Sequence, residues 1–152
     1  MSISNVHQRR YDRTLAFMAK HLPPGSSLLD LGTENPFTPQ LQKAGYVVSN
    51  TQGENLDDDF SKYGNTEVDC VTAFEIFEHL LAPYNILKTL NSQRLIASVP
   101  LKLWFAEAYW NEHDDWDKHY HEFEVKQFNF LLEKTGWKMK DSALWTSPDP
   151  KK

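Results

Sequence analysis

Tyr11, Leu15, Met18 and Leu22 recur at spacings of four, three and four, which lays one apolar stripe along a helix. Ser4 or Asn5 can cap its start, and the LPPG stretch at 22–25 ends it. The pattern then shifts to short apolar runs: LLDL at 28–31, YVVSNT at 46–51, VDCVTAFE at 68–75 and RLIASVP at 94–100. Each has the length of a strand. Between them, TPQLQKAG at 38–45 reads as a short helix, with Thr38 as N-cap, Pro39 at its first position and Gly45 just past its end. APYNILKTL at 82–90 reads as another. Val125, Phe128, Leu131 and Leu132 mark a last amphipathic helix closed by Gly136, and WKMKDSALW at 137–145 reads as a last strand.

Strands alternating with helices predict an α/β protein with a parallel sheet covered on both faces. Only 17 residues separate Thr51 from Asp69, too few for a helix, a strand and a second helix. The acidic stretch at 52–65 has no period and reads as loop, with Asp57 to Asp59 as solvated turn. The segment 101–122 is aromatic, acidic and rich in histidine, and reads as a partly helical excursion. The expected organisation is one domain: an N-terminal helix to residue 25, a core over 26–100, a lid over 101–122, and a helix and strand over 123–146, with a frayed tail.

With 152 residues, 40% hydrophobic and 24% charged, the chain can bury a core of its own. The net charge of −5 and the scattered lysines and arginines give no duplex nucleic-acid footprint. Asp12, Arg13 and Lys20 interrupt any apolar run near the start, so neither a signal peptide nor a membrane span is expected. The lone Cys70 excludes an intrachain disulfide and suits a reducing, cytoplasmic setting; it reads as a small buried hydrophobe rather than a nucleophile.

LLDLG at 28–32, VDCVTAFEIFEHLL at 68–81, LIASVP at 95–100 and HYHEFEVKQFNFLLEKTGW at 119–137 follow one another in an order that resembles the class I S-adenosylmethionine-dependent methyltransferases, in particular the small-molecule type 11 branch. The resemblance covers most of the chain. It implies a Rossmann-like, doubly wound, mostly parallel sheet, here shortened, with the third strand and the C-terminal hairpin reduced. It implies S-adenosyl-L-methionine as cofactor and a small-molecule methyl acceptor as partner. The cofactor-binding residues would be Asp30, Gly32, Thr33, Glu34, Asn35, Pro36 and Phe37, then Asn50, Thr51 and Gln52, then Phe74 and Glu75. An uncovered sheet edge would invite a homodimer.

The chain departs from this family at two positions that bear on the cofactor. Glu34 and Pro36 stand where the first motif carries glycines, and proline offers no N–H. Asn35 would restore the turn by taking left-handed backbone. At the end of the second strand, Asn50, Thr51 and Gln52 replace the acid that grips the ribose, and the nearest carboxylates are Glu54 and Asp57 to Asp59. These departures leave a second reading open, a catalytically inactive binding or scaffold domain. A dinucleotide-dependent oxidoreductase is a third, weakened by the missing glycines.

Methyl transfer asks mainly for positioning and, with oxygen or nitrogen acceptors, for a proton acceptor. His79, His119 and His121 are the candidate bases, and His113 reads as solvated. No metal is expected. Glu75, Glu78 and His79 form the set that would hold one, as in some quinone and small-RNA methyltransferases that the motif resembles, whereas the structural alternative has His79 bracing the next turn. Trp104, Phe105, Tyr109 and Trp110 would form an apolar lid, or else core.

Overall fold

The first helix, α1, runs Asn5–Ala19 in a computed structural model that describes residues 3–103 and 106–146. Ser4 caps it, its hydroxyl accepting from the His7 N–H at 3.2 Å. Then follow β1 (Ser27–Asp30), α2 (Thr38–Lys43), β2 (Val47–Asn50), β3 (Cys70–Phe74), α3 (Pro83–Thr89), β4 (Leu95–Ser98) and α4 (Val125–Lys134). The strands form one four-stranded parallel sheet in the order β2-β1-β3-β4, flanked by helices, a shortened Rossmann-like fold.

Strand alternation divides the core. Leu28 and Cys70 join Met18 of α1, Leu22 just past its end, Leu41 of α2, and Ile96. Leu29, Leu31, Val71 and Ala73 join Phe77, Ile86 and Leu87, against which Phe128, Leu131 and Leu132 of α4 pack. Successive residues of β1 and β3 therefore serve opposite faces, and both strands are buried on both sides, as central parallel strands must be. Cys70 is fully buried, and burial pushes its thiol up to about 12, which fits a small core residue.

The span between β2 and β3 holds one turn of 3-10 helix, Phe60–Tyr63, and no strand, so β2 is an edge; its Val47 is 64% exposed. Among the described residues, the excursion after β4 has a single helical turn, Asp115–Asp117, and two isolated bridges, Leu101 with Phe123 and Trp110 with Lys118. Trp104 and Phe105 lie outside the described residues. No helix among the described residues is long and apolar enough to cross a membrane.

Three local expectations are corrected. Residues 137–146 form no strand. Asp141 accepts from the Ser142 N–H at 2.8 Å, a local bond that competes with a ladder. Side chains hold the segment instead: Asp141 meets His21 at 2.7 Å, Arg13 lies over the Trp145 ring, and the Trp137 indole N–H donates to the Leu87 carbonyl at 2.9 Å. Thr38 is the first residue of α2, not its cap, because its hydroxyl accepts from the Asn35 N–H at 3.1 Å. Asp57 is no solvated turn residue. Its two carboxylate oxygens accept from the Leu81 and Ala82 N–H groups, both at 2.8 Å, and tie the β2–β3 span to the start of α3.

Removing that carboxylate leaves two backbone donors without their partner, so Asp57→Ala is expected to lower stability by about 1–3 kcal/mol. The neighbouring exposed Asp58→Ala should stay within about 0.5 kcal/mol of the wild type. Urea denaturation of both variants checks the contrast.

Candidate functional site

Parallel pairing sets Asp30 opposite Asn50 and Thr72, and Phe74 opposite Ser98, so the carboxyl ends of all four strands fall on one edge of the sheet. From β1 the chain turns outward to β2 on one side, and β3 lies on the other. Their loops part there and leave a crevice, the place where ligands bind in open parallel sheets. A cavity of about 600 Å³ fills it, within the small-molecule range. Its floor includes Asp30, Gly32, Thr33, Asn35, Phe37, Thr51, Phe74 and His79 from the sequence-predicted set.

The loop after β1 closes without the missing glycines. Gly32 takes the left-handed backbone itself, at φ 107°, and a side chain there would press within 3.2 Å of Ile76. The expectation that Asn35 goes left-handed is not met: among the described residues Glu75 is the one non-glycine with positive φ. Asn35 works through its side chain, whose oxygen accepts from the Phe37 N–H at 2.9 Å and whose amide donates to the Thr33 carbonyl at 3.2 Å. Glu34 and Pro36 are exposed and outside the cavity wall. The two residues that replace glycines therefore take no cavity space.

The end of β2 does a different job from the one anticipated. The Thr51 hydroxyl accepts from the Gly32 N–H at 2.8 Å, and the Asn50 amide donates to the Gly32 carbonyl at 3.1 Å and to the Asp30 carboxylate at 3.3 Å. Both residues brace the first loop; Asn50 and Gln52 do not line the cavity. Glu54 does, and it accepts from the Gln52 N–H at 2.8 Å. It supplies a carboxylate beyond the end of β2.

α1 builds a wall that the sequence reading missed. Arg10, Tyr11 and Thr14 reach the cavity from adjoining positions of the helix. Tyr11 stacks on Phe37 with ring centroids 4.5 Å apart, and Phe37 meets Phe74 edge-on at 5.5 Å. From the excursion, Trp116 lines the cavity, whereas Tyr109 and Trp110 are half-exposed and do not.

Beside the cavity lie a buried acid, Glu78, and a half-buried one, Glu75. Glu75 follows β3 in left-handed backbone, φ 57°, a costly conformation for a long side chain and one that gathers at functional sites. The chain turns straight into a 3-10 helix, Phe77–His79. The excursion docks on this turn: the Glu78 carbonyl accepts from the Tyr120 and His121 N–H groups at 2.8 and 3.3 Å, and the Lys118 carbonyl sits 2.8 Å from His79 Nδ1. That docking brings His119 beside His79, rings edge-on at 4.8 Å. Ligand atoms of Glu78, His79 and His119 all lie within 4.8 Å of one another. His119 is oriented by Glu122, 2.7 Å from its Nδ1. His121 is elsewhere: its Nε2 meets the Leu81 carbonyl at 3.0 Å and its ring stacks on Phe123.

Charge in this corner is poorly compensated. Glu75 Oε2 and Glu78 Oε1 are buried with no hydrogen-bond partner among the described residues. Burial, then the nearby Glu75 charge, pushes Glu78 up to about 8; burial also raises Glu75, against the pull of Arg10 3.6 Å away. An orphaned Glu78 carboxylate oxygen beside two imidazoles fits a divalent cation of the manganese or magnesium kind, and Glu78, His79 and His119 are the residues that would hold it; Glu75, the third residue expected from the sequence, stands outside that group.

Asp30 is a second buried acid. Burial raises it from the ordinary 3.8 to about 6, against the hydroxyl of Thr72, 2.7 Å away, and the Asn50 amide. Between those values the folded chain keeps a proton that the unfolded chain has released, so stability falls as pH rises through the window. Asp30→Asn, which does not titrate, should therefore gain on the wild type by about 1.4 kcal/mol per pH unit from about pH 4 to about pH 6, and by nothing further beyond. Denaturation curves of both proteins across that range provide the check.

Comparison with protein-family models and with the curated proteins finds no match for the chain.

Proposed function

We propose that the protein is an S-adenosylmethionine-dependent methyltransferase acting on a small-molecule acceptor. The observation that carries the reading is the cavity at the divergence of the β1 and β3 loops, formed by the motifs LLDLG and TAFEIFEH and left open by Glu34 and Pro36. In this reading Asp30, Gly32 and Thr33 frame the cofactor at the first loop, Phe37, Phe74 and Leu56 enclose its apolar parts, and Glu54 offers an acceptor to the ribose hydroxyls in place of the missing strand-end acid. Asn50 and Thr51 act indirectly, by holding the first loop in shape.

When bound, the cofactor supplies a methyl carbon already activated by its sulfonium, so the chain has to align an acceptor and manage its proton. His79, which lines the cavity, is the candidate for this. Its Nδ1 faces a carbonyl, which can only accept, so in the neutral ring the proton sits on Nδ1 and Nε2, 3.9 Å from Glu78 Oε2, keeps its lone pair. The same lone pair can serve a cation held with Glu78 and His119, which would supply Lewis-acid polarisation of an acceptor hydroxyl. His119 is positioned to join it, and His121 is a brace for the excursion.

Calorimetric titration with S-adenosylhomocysteine tests the reading. Micromolar binding by the wild type is expected, and at least tenfold weaker binding by Gly32→Ala, whose added methyl group meets both the left-handed backbone and Ile76. No heat at millimolar ligand would move a non-catalytic scaffold role into first place.

A further inference from the structure

The cavity and the acidic cluster share one cation. Among the described residues, Arg10 is the only lysine or arginine lining the cavity, whose other charged walls are Asp30 and Glu54. It is also the guanidinium paired with Glu75. The pair is loose, 3.6 Å between nitrogen and oxygen against about 2.7–2.9 Å in a tight charge-assisted bond, and both side chains keep a quarter to a third of their exposure. Arg10 also lies over the face of Tyr11, 5.6 Å from its centroid, in the wall that meets the cavity. Glu75 meanwhile has its second oxygen buried and unpartnered.

From this geometry we infer that Arg10 is an exchangeable counter-charge, serving either the Glu75 carboxylate or the carboxylate of an aminoacyl ligand in the cavity. This deepens, and rests on, the cofactor reading above. When the guanidinium turns to the ligand, Glu75 loses its counter-charge, and its bare carboxylate favours a divalent cation at the neighbouring Glu78, His79 and His119. Ligand carboxylate and cation then bind with positive coupling, and by linkage each strengthens the other by the same factor. The protein would load its cation when the cavity holds a ligand with a carboxylate, and would hold it weakly otherwise.

The test is Mn2+ binding, followed by electron paramagnetic resonance at fixed pH, in the wild type and in Arg10→Gln, with Arg10→Met as a second variant. Saturating S-adenosylhomocysteine should tighten Mn2+ binding by the wild type about five- to tenfold. 5′-Methylthioadenosine, which keeps the nucleoside and lacks the carboxylate, should tighten it less than twofold. Without any nucleoside, Arg10→Gln should bind Mn2+ several-fold tighter than the wild type, and S-adenosylhomocysteine should add little. The inference is overturned if neither protein binds Mn2+, if the Arg10 variants bind it no more tightly than the wild type, or if methylthioadenosine couples as strongly as S-adenosylhomocysteine. Failure of S-adenosylhomocysteine to bind defeats the cofactor reading and the ligand half of this one, while tighter Mn2+ binding by Arg10→Gln still supports the hold of Arg10 on Glu75.

Discussion

β1 and β3 lie side by side in parallel, and side chains fasten them at both ends. At the amino ends, the Asp69 carboxylate accepts from the Ser27 N–H at 2.8 Å and the Ser27 hydroxyl accepts from the Asp69 N–H at 2.9 Å. At the carboxyl ends, Thr72 donates to Asp30 at 2.7 Å. A one-residue slip would turn every core side chain of these strands to the opposite face, so register is fixed by burial as well as by these bonds. The pairing decides where the loops of Gly32 and Glu75 leave the sheet, and the cavity is the space between those loops.

The cost of that arrangement is concentrated at three carboxylates, two buried and one half-buried. Asp30, Glu75 and Glu78 are all pushed up by burial, and two oxygens among them lack partners. A chain selected for stability alone would place apolar residues there, since burying unpaired carboxylates is unfavourable. Glu75 adds backbone strain to the same corner. Concentrated strain and uncompensated charge beside a cavity are what a site for charged or polarisable ligands has before the ligand's own charge is counted.

The sheet was legible in the sequence because β1 and β3 are continuous apolar runs and because Pro39 and Gly45 bracket α2. The strand expected at 137–145 failed because apolar spacing says nothing of a pairing partner, and Asp141 takes the Ser142 N–H locally. Glu78, His79 and His119 were legible as chemistry, but their meeting depends on the excursion docking its backbone on Glu78, a tertiary fact with no local pattern. Arg10 escaped notice because a lone arginine on an amphipathic helix ordinarily faces water. The visible signal was its place next to Tyr11 on the buried stripe. Asn35 shapes the loop through side-chain hydrogen bonds and not, as expected, through left-handed backbone.

The central claim is that the β1 and β3 loops jointly hold an adenosyl ligand. Amide chemical-shift mapping of the labelled protein on addition of S-adenosylhomocysteine tests it most directly. Shifts are expected at Gly32 to Asn35, Thr51 to Glu54 and Phe74 to Ile76, with α4 unchanged. Shifts centred on α4, or none at saturating ligand, would contradict it.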